Sequence, residues 1–466
     1  MNFTSKLVSP KRHKMGGMKE LLFLALPIIA SQSCETVMVF TDRVFLSKLS
    51  SEQMNAATGG GISSFLLLTF FMGLIGFSTA LIAQFYGAKK YEQCSVTLVQ
   101  SGIISFVAYP LIILALPLLY WYFEVTHISA GQIEYQKIYV QILVFGSIIS
   151  LIRHSLSCYF SGIGRTKVVM IAAIVTMLIN IGFNYIFIFG HWGFPAMGIR
   201  GAAYGTILSA LCGVAIMVYF FFEEKNAKAF KVFQAFRFHA KTITTLLRYG
   251  TPAGTEFFVN FIAFSFLVFL FHSYNEHTAT AASIMFNWDM VTFVPLIGIE
   301  IGITSMVGRY VGAKKLHVAE RATYTAVRLG WFFSAFVVLM FVFIPHVLVD
   351  VFKPQQYDTV FEQARPLAIR MLQLASLYVL AEAILVSFVG ALRGAGDTVW
   401  TMWVSMAIHW TFVPVTYLSL FVFNIGPVWA WTVLVFMFLL FCIVFYFRFK
   451  TGKWKTIQVI DHGTEG

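Results

Sequence analysis

Long apolar runs alternate with short polar breaks along the whole sequence. A helix needs about 20 apolar residues to cross a bilayer, so each such run between charged or Gly/Pro breaks predicts one membrane-spanning helix. The runs predict an all-α polytopic membrane protein with twelve spans. These lie at 20–46, 57–86, 95–121, 137–162, 166–190, 197–222, 245–272, 278–308, 322–349, 366–391, 398–422 and 425–448.

The loops between these runs differ in charge. The loops that follow even-numbered spans, and both termini, hold most of the lysines and arginines, such as Lys89, Lys90, Lys314 and Lys315. The opposite loops hold few. The positive-inside rule therefore predicts that both termini are cytoplasmic, which an even number of spans requires. We expect a multi-pass protein of the inner membrane.

Composition supports this interpretation and narrows the class of partner. The 466 residues are 58% hydrophobic and 12% charged, with a mean hydropathy of +0.78. A soluble protein has about 25% charged residues. The net charge of +12 fits basic cytoplasmic loops in contact with a lipid bilayer, so nucleic acid is not expected as a partner. Five scattered cysteines lack metal-ligand spacing, which argues against disulfides and cysteine metal sites.

The two halves of the chain share short motifs. QFYGAKK at 84–90 reappears as RYVGAKK at 309–315, and Pro27 matches Pro252 at the same offset. SGIGRTK at 161–167 has a looser echo in RGAGDTV at 393–399. Since an even number of spans separates the copies, the halves should be related by a pseudo-two-fold axis along the membrane normal. We predict an N-lobe at 1–222, a cytoplasmic linker at 223–244 and a C-lobe at 245–466.

The linker has a composition of its own. Its phenylalanines alternate with basic residues; they are Phe230, Phe233, Phe236 and Phe238. Basic and aromatic residues in this arrangement are typical of a segment that lies on a membrane surface. We therefore expect a connector tethered to the inner leaflet.

Two carboxylates interrupt the first apolar run. Glu35 and Asp42 are seven residues apart, two helical turns, and so share a face of the helix. A carboxylate at membrane depth costs roughly 2.5–3.5 kcal/mol and persists only where it faces protein or trapped water. The pair predicts a cation or proton site in the bundle. The alternative is that both acids pair with basic groups or lie near the outer surface.

Further oxygen donors follow in the fifth and sixth spans. Asn180 and Asn184 are one turn apart, and Thr206 follows in the next span. A carboxylate, amide oxygens and a hydroxyl are the ligands that a hard cation prefers. A Na⁺ site at Asp42, Asn180 and Thr206 is thus one prediction. The other is that the amides join helices by hydrogen bonds worth about 0.6–2 kcal/mol each.

The second half has its own polar residues at membrane depth, which predict part of the substrate cavity or a second ion site. They are Glu256, Asn260, Asp289, Glu300 and Glu382. The first two share a face of the seventh span, and Asp289 and Glu300, three turns apart, share a face of the eighth. At a cytoplasmic helix end, Arg393 and Asp397 are expected to form an ion pair with each other.

Signatures of catalysis are missing from the sequence. It has no G-x-x-x-x-G-K-[ST] phosphate loop, no H-E-x-x-H and no serine elbow. We therefore expect neither an enzyme nor a bound cofactor. Energy for transport should come from an ion gradient, with H⁺ or Na⁺ as the coupling ion.

The motifs, in their order and spacing, resemble those of the multidrug and toxic compound extrusion (MATE) family. The matching positions in the first half are Pro27 with Asp42; Ala83, Gln84, Gly87 and Ala88; Gly162, Gly164, Thr166 and Lys167; Asn180 and Asn184; and Pro195, Ala196, Gly198, Gly201, Ala202 and Ala203. Those in the second half are Val307, Gly308, Gly312 and Ala313, and Leu392, Arg393, Gly394, Asp397 and Thr398.

This resemblance implies two six-helix lobes arranged as a V and cation-driven antiport of organic cations or other drugs. It also implies that Asp42, Asn180, Thr206 and position 184 surround the coupling ion. Position 184 is often aspartate in bacterial members but is asparagine here, which favours proton over Na⁺ coupling. Many members carry glutamate at the position of Asn260, which puts their second-lobe ion site in doubt here.

The function predicted from the sequence is that of a monomeric, H⁺- or Na⁺-coupled antiporter. It would export small, apolar, cationic organic compounds, with Asp42 as the residue that takes up and releases the proton. The alternatives are a flippase of lipid-linked saccharides and a dedicated metabolite exporter of the same superfamily. A flippase would need a strongly basic cavity, whereas the charges at membrane depth are mainly acidic, with Arg153 the chief exception.

Overall fold

A computed structural model of the protein describes residues 14–125, 129–353 and 359–460. Eleven helices in this part of the chain are long and apolar enough to cross a membrane, and a bent pair of helices makes a twelfth span. We number the spans α1 (Met18–Ser47), α2 (Ser51–Gly87), α3 (Tyr91–Val125), α4 (Gly131–Phe145 with Ser147–Gly162), α5 (Thr166–Phe189), α6 (Ile199–Phe222), α7 (Ala240–Tyr274), α8 (Glu276–Gly312), α9 (Leu316–Phe343), α10 (Thr359–Ala395), α11 (Thr398–Val422) and α12 (Pro427–Lys450). The predicted all-α, polytopic fold is confirmed.

Each half of the chain packs as one lobe. In the first, α5 packs against α6 and α1, and α2 packs against α4. In the second, α10 packs against α8, α9 and α12, and α7 packs against α11. Small residues allow these close contacts, since a Cβ on Gly201 of α6 would lie 2.6 Å from the backbone of Phe187 in α5.

The lobes meet along α2, which packs against α7 and α8, and along α1, which packs against α8. Glycines again bring the backbones together. A Cβ on Gly73 of α2 would lie 2.7 Å from the carbonyl oxygen of Ala253 in α7. In the same way, Gly298 of α8 faces Ile29 of α1.

The two copies of the repeated motif pack against each other. Gly87 of the first copy faces the backbone carbonyl of Arg309 in the second, and Gly312 of the second faces the carbonyl of Gln84 in the first. A Cβ on either glycine would collide with the opposing carbonyl. The two contacts involve equivalent positions, as a pseudo-two-fold axis between the lobes requires.

The linker begins with a short helix, Glu224–Phe230, and is attached to the N-lobe. Lys231 and Arg237 each lie 3.1 Å from a carboxylate oxygen of Glu92 at the start of α3. Phe233, Phe236 and Phe238 stay exposed. Their contact with the inner leaflet remains a prediction.

Candidate functional site

Four side chains from three helices of the N-lobe form a buried polar cluster, the Asp42 cluster: Asp42, Asn180, Asn184 and Thr206. Asn184 Nδ2 donates hydrogen bonds to Asp42 Oδ1 and, at 3.3 Å, to Asn180 Oδ1. Thr206 Oγ1 donates to Asp42 Oδ2 at 3.4 Å. Both asparagines are fully buried, and Asp42 is 8% exposed. The structure thus brings together α1, α5 and α6 around one carboxylate.

The local sequence explains this convergence. Asn180 and Asn184 are one turn apart on α5, so both amides point from the same face. Gly205 leaves room for them, because a Cβ there would press against Asn184 Oδ1. Its neighbour Thr206 then reaches Asp42, and its single hydroxyl proton is shared between Asp42 and the carbonyl of Ala202, which lies 3.0 Å away.

The hydrogen bonds of the Asp42 cluster are incomplete. Asn184 Oδ1 and Asn180 Nδ2 are buried without a hydrogen-bond partner. A buried polar atom without a partner is unusual and indicates a site that another group can complete. The oxygens of Asp42, Asn180, Asn184 and Thr206 fit the preferences of a hard cation. Within the described ranges, no three His, Cys, Asp or Glu side chains are grouped to hold a metal.

Glu35 lies outside this cluster. Its Oε1 is 2.7 Å from Arg153 Nη1 of α4, and both side chains line a cavity between the lobes. The structure therefore does not bring Glu35 and Asp42 into one coupling site. The two residues share a face of α1, but Glu35 contacts α4, whereas Asp42, two turns further along, contacts α5 and α6. Their side chains therefore have different partners.

The central cavity has a volume of about 490 Å³ and is lined by both lobes. Its apolar wall includes Phe65, Met72, Phe257 and Phe293. Its charged residues are Glu35 and Arg153 from the N-lobe and Glu300 and Arg393 from the C-lobe. A cavity that combines aromatic walls with a few polar groups is the usual form of a small-molecule site.

The predicted ion pair between Arg393 and Asp397 is wrong. Arg393 instead contacts Glu300 at 2.5 Å and Glu256 at 3.1 Å. Asp397 accepts two hydrogen bonds, of 2.9 and 3.1 Å, from Arg448 of α12. The reason is that α10 ends at Ala395, so the two residues do not share a helix face.

The C-lobe residues predicted as one set are separated in the structure. Glu256 and Glu300 contact Arg393, whereas Asn260 Nδ2 donates to Ser405 Oγ at 2.8 Å. Asp289 accepts a hydrogen bond from the Tyr378 hydroxyl. Glu382, one turn beyond Tyr378 on α10, is buried with Oε2 unpartnered. Asp289 and Glu300 share a face of α8 and both meet α10, but at different depths, so that one contacts Tyr378 and the other Arg393.

Sequence reasoning missed the partners of these acids. Tyr378 carried a usable signal, because it precedes Glu382 by one helical turn. The sequence predicts Asp397 as the partner of Arg393, whereas the structure pairs Arg393 with Glu256 and Glu300. The unpaired acids in the seventh and eighth spans were a signal that a buried cation had to come from elsewhere in the same lobe.

Comparison with known proteins decides the family. A family model described as MatE matches residues 27–186 and 252–418, one segment in each lobe. The chain belongs to the MatE family. The predicted resemblance is confirmed, and this MatE protein is a multi-pass membrane protein of a transporter family.

Individual relatives agree with this assignment. The MatE protein is 28% identical to a probable multidrug resistance protein NorM from Thermotoga maritima, over 95% of this chain and 94% of the relative. Its fold is similar to the crystal structure of a MATE protein in complex with MaL6, with a TM-score of 0.85, 20% identity and coverage of 94% and 97%. Its fold is also similar to that of a MOP superfamily transporter from Pyrococcus furiosus, which is described as having a binding pocket of reversed polarity. The TM-score is 0.85 and the identity 20%, over 96% of this chain and 100% of that one.

Proposed function

We propose that this MatE protein is a cation-coupled antiporter that exports small organic compounds through the central cavity, as a multidrug efflux transporter of the inner membrane. The observation that carries the proposal is the Asp42 cluster. It holds a buried carboxylate that, within the described structure, is hydrogen-bonded only by neutral side chains. A carboxylate in that environment binds a proton or cation far more readily than one in an ion pair.

The coupling ion acts on the hydrogen bonds of the cluster. Ionised Asp42 accepts from Asn184 and Thr206. Protonated Asp42 must instead donate, and the acceptors beside it are the Thr206 hydroxyl, 3.4 Å from Oδ2, and the unpartnered oxygen of Asn184 once its amide turns. Either change replaces a hydrogen bond that joins α1 to α5 or α6. Each protonation state therefore favours a different packing of these helices.

α1 connects this change to the cavity and to the contact between the lobes. Asp42 lies near one end of the helix, and Glu35 faces the cavity two turns earlier. Nearer the other end, Ile29 and Ala25 pack on Gly298 and Gly302 of α8. Pro27 removes a backbone hydrogen bond from that part of α1, where bending is easiest.

A gradient supplies enough energy for this cycle. One charge that crosses 100 mV gains about 2.3 kcal/mol, and one pH unit adds about 1.4 kcal/mol. We favour H⁺ over Na⁺ because the cluster holds a single carboxylate, and Na⁺ sites gain affinity from each added charge. H⁺ or Na⁺ is the transported coupling ion in this proposal, which requires no cofactor.

Two alternatives use the same fold. A flippase of lipid-linked saccharides would require a strongly basic cavity, but each arginine of this cavity contacts a glutamate. A dedicated metabolite exporter is better supported, because Arg153 and Arg393 give the cavity the means to bind an anionic group.

Ethidium accumulation in efflux-deficient cells tests the proposal. Wild type should lower accumulation, Asp42→Asn should not, and a protonophore should remove the difference. Glu134→Gln is the matched control, because the Glu134 side chain is exposed and does not line the central cavity. Normal export by Asp42→Asn at equal expression would refute the coupling role of this carboxylate. Na⁺ titration in proteoliposomes then separates the two coupling ions.

A further inference from the structure

The linker packs one face against the N-lobe and leaves the other face exposed. Phe230 and Val232 are buried in an apolar cluster of that lobe. Gln100 of α3 holds the end of the linker, because its amide donates to the Arg237 carbonyl at 2.9 Å and accepts from the His239 N–H at 3.0 Å. The linker is therefore attached to the N-lobe at two places, and one defined face is turned away from it.

Three phenylalanines lie on the exposed face. Phe233, Phe236 and Phe238 are 73%, 59% and 70% exposed. The ring centroids of Phe233 and Phe236 lie 5.7 and 5.9 Å from that of Phe222, the last residue of α6. Tyr219, one turn earlier on α6, is 70% exposed and so faces lipid. The phenylalanines of the linker thus continue the lipid-facing surface of α6 at the level where that helix leaves the bilayer, where aromatic rings are favoured.

Two cationic side chains flank these rings in the sequence. Lys231 Nζ is 3.1 Å from Glu92 Oε2, and Arg237 Nη2 is 3.1 Å from Glu92 Oε1. Since both contact one carboxylate, the two cations lie side by side and keep one net positive charge. Their side chains are 57% and 58% exposed, so a phosphate group can reach both. Together with the rings they form the linker face: Lys231, Phe233, Phe236, Arg237 and Phe238.

We propose that the linker face binds an anionic phospholipid of the adjacent leaflet. The lipid phosphate lies between Lys231 and Arg237, and the three rings enter the bilayer beside it. Basic and aromatic residues together at a membrane surface favour anionic lipids, whereas the ammonium group of a zwitterionic lipid cancels the charge of its phosphate. An acidic soluble protein would match the charges but not rings that adjoin a lipid-facing helix. This inference goes beyond the proposed export function, because lipid binding needs neither cargo nor gradient.

Two phospholipids that differ only in the headgroup test the proposal. The purified full chain in detergent is titrated with phosphatidylglycerol, which is anionic, or with phosphatidylcholine of the same acyl chains, which is zwitterionic. Native mass spectrometry gives an apparent Kd for each lipid. Wild type should bind phosphatidylglycerol more tightly. Equal affinity for both lipids, or tighter binding of phosphatidylcholine, would overturn the proposal.

Removing either cation should lower this preference. Lys231→Gln and Arg237→Gln should each lower the ratio of the two affinities about fivefold, which is what one lysine or arginine contributes at an anionic surface. Lys48→Gln is the matched control, because Lys48 is exposed but follows α1 and so lies at the opposite side of the membrane. An unchanged ratio in both linker variants, or an equal fall in the control, would overturn the proposal.

Glu92→Gln separates the charge of the linker from its attachment. It breaks the same ion pair as Lys231→Gln, but it leaves both cations in place and removes the acid that partly neutralises them. The preference for phosphatidylglycerol should therefore rise rather than fall. A fall in Glu92→Gln equal to that in Lys231→Gln would mean that both variants act by loosening the linker, and the proposal would be wrong.

The rings are tested by the affinities themselves rather than by their ratio. Phe233→Ser/Phe236→Ser should weaken the binding of both lipids by about tenfold or more, because the rings contact acyl chains that the two lipids share. Phe233→Leu/Phe236→Leu keeps an apolar surface and should retain most of the affinity. Wild-type affinities in the serine variant would overturn the proposal. A retained preference for phosphatidylglycerol together with failed ethidium export would count against the proposed function alone.

Discussion

Asn184 donates its side-chain N–H to Asp42, so an amide of α5 holds the carboxylate of α1. The family resemblance leads us to expect aspartate at position 184 in many bacterial members, but this chain has the neutral donor Asn184 there. The amide satisfies ionised Asp42 without adding charge. Under the proposed coupling role of Asp42, this contact would favour H⁺ over Na⁺, and it leads to the first prediction.

Asn184→Asp should create Na⁺ binding. Two buried carboxylates in contact repel each other, and Na⁺ would relieve the repulsion and complete the oxygen set. Thermal unfolding in detergent, with NaCl against choline chloride at equal ionic strength, measures the effect. At a Na⁺ concentration ten times the Kd, the variant should gain about 1.4 kcal/mol of stability. Asn184→Ala is the control, and equal stabilisation of the wild type would contradict the prediction.

Gly87→Ala should disrupt the contact between the lobes. The added methyl would collide with the Arg309 carbonyl, which belongs to the backbone and cannot rotate away. We expect a loss of about 1–3 kcal/mol of stability and strongly reduced export. Gly102→Ala is the matched control, because a Cβ there meets no atom within 4 Å and an alanine favours the helix. Equal behaviour of the two variants would show that this contact is unimportant.

The sequence predicted the helices well because the signal for a span is local. Twenty apolar residues in a row require a helix in lipid, and neighbouring helices do not alter that requirement. The repeat predicted the two lobes for a similar reason, since Gly87 and Gly312 occupy equivalent positions in the two copies. Asp42, Asn180, Asn184 and Thr206 were brought together by their spacing and by the family resemblance.

The partners of the other acids could not be predicted in this way. Helical spacing identifies residues that share a face of one helix, but it says nothing of the helix that packs there. Glu35 and Asp42 therefore share a face while Arg153 and Asn184 are their respective partners. Arg393 of α10 is far in sequence from Glu256 of α7 and Glu300 of α8. These charges come together only because the three helices meet in the folded C-lobe.

Asp397→Asn should destabilise the C-lobe. It removes the charge that holds Arg448, whose side chain is 16% exposed and also lies over the Trp400 ring at 4.9 Å. An arginine left without its buried partner should lower the free energy of unfolding by about 1–3 kcal/mol. Thermal unfolding measures the loss. Glu124→Gln breaks a more exposed ion pair, with Lys137, and should have no measurable effect. A similar change in both variants would argue against a special role of the Asp397–Arg448 pair.

Ile460→Ala should weaken the attachment of the C-terminal tail across the lobes. The tail leaves α12 with Trp454 buried against Phe449, and it ends the described chain at Ile460, which is 4% exposed. Ile460 belongs to an apolar cluster that also contains Phe77 of α2 and Leu246 of α7. The tail therefore covers the boundary where the N-lobe meets the C-lobe.

The expected loss is about 2 kcal/mol, the lower end of the range for a buried isoleucine, because the site lies at the edge of the cluster. Gln458→Ala is the matched control: its side chain is exposed, and its backbone carbonyl would still accept from Tyr249. If the tail holds the lobes together in this arrangement, Ile460→Ala should also speed the modification, by a thiol reagent, of a cysteine placed at Leu246. Unchanged unfolding and unchanged modification would mean that the tail covers the boundary without holding it closed.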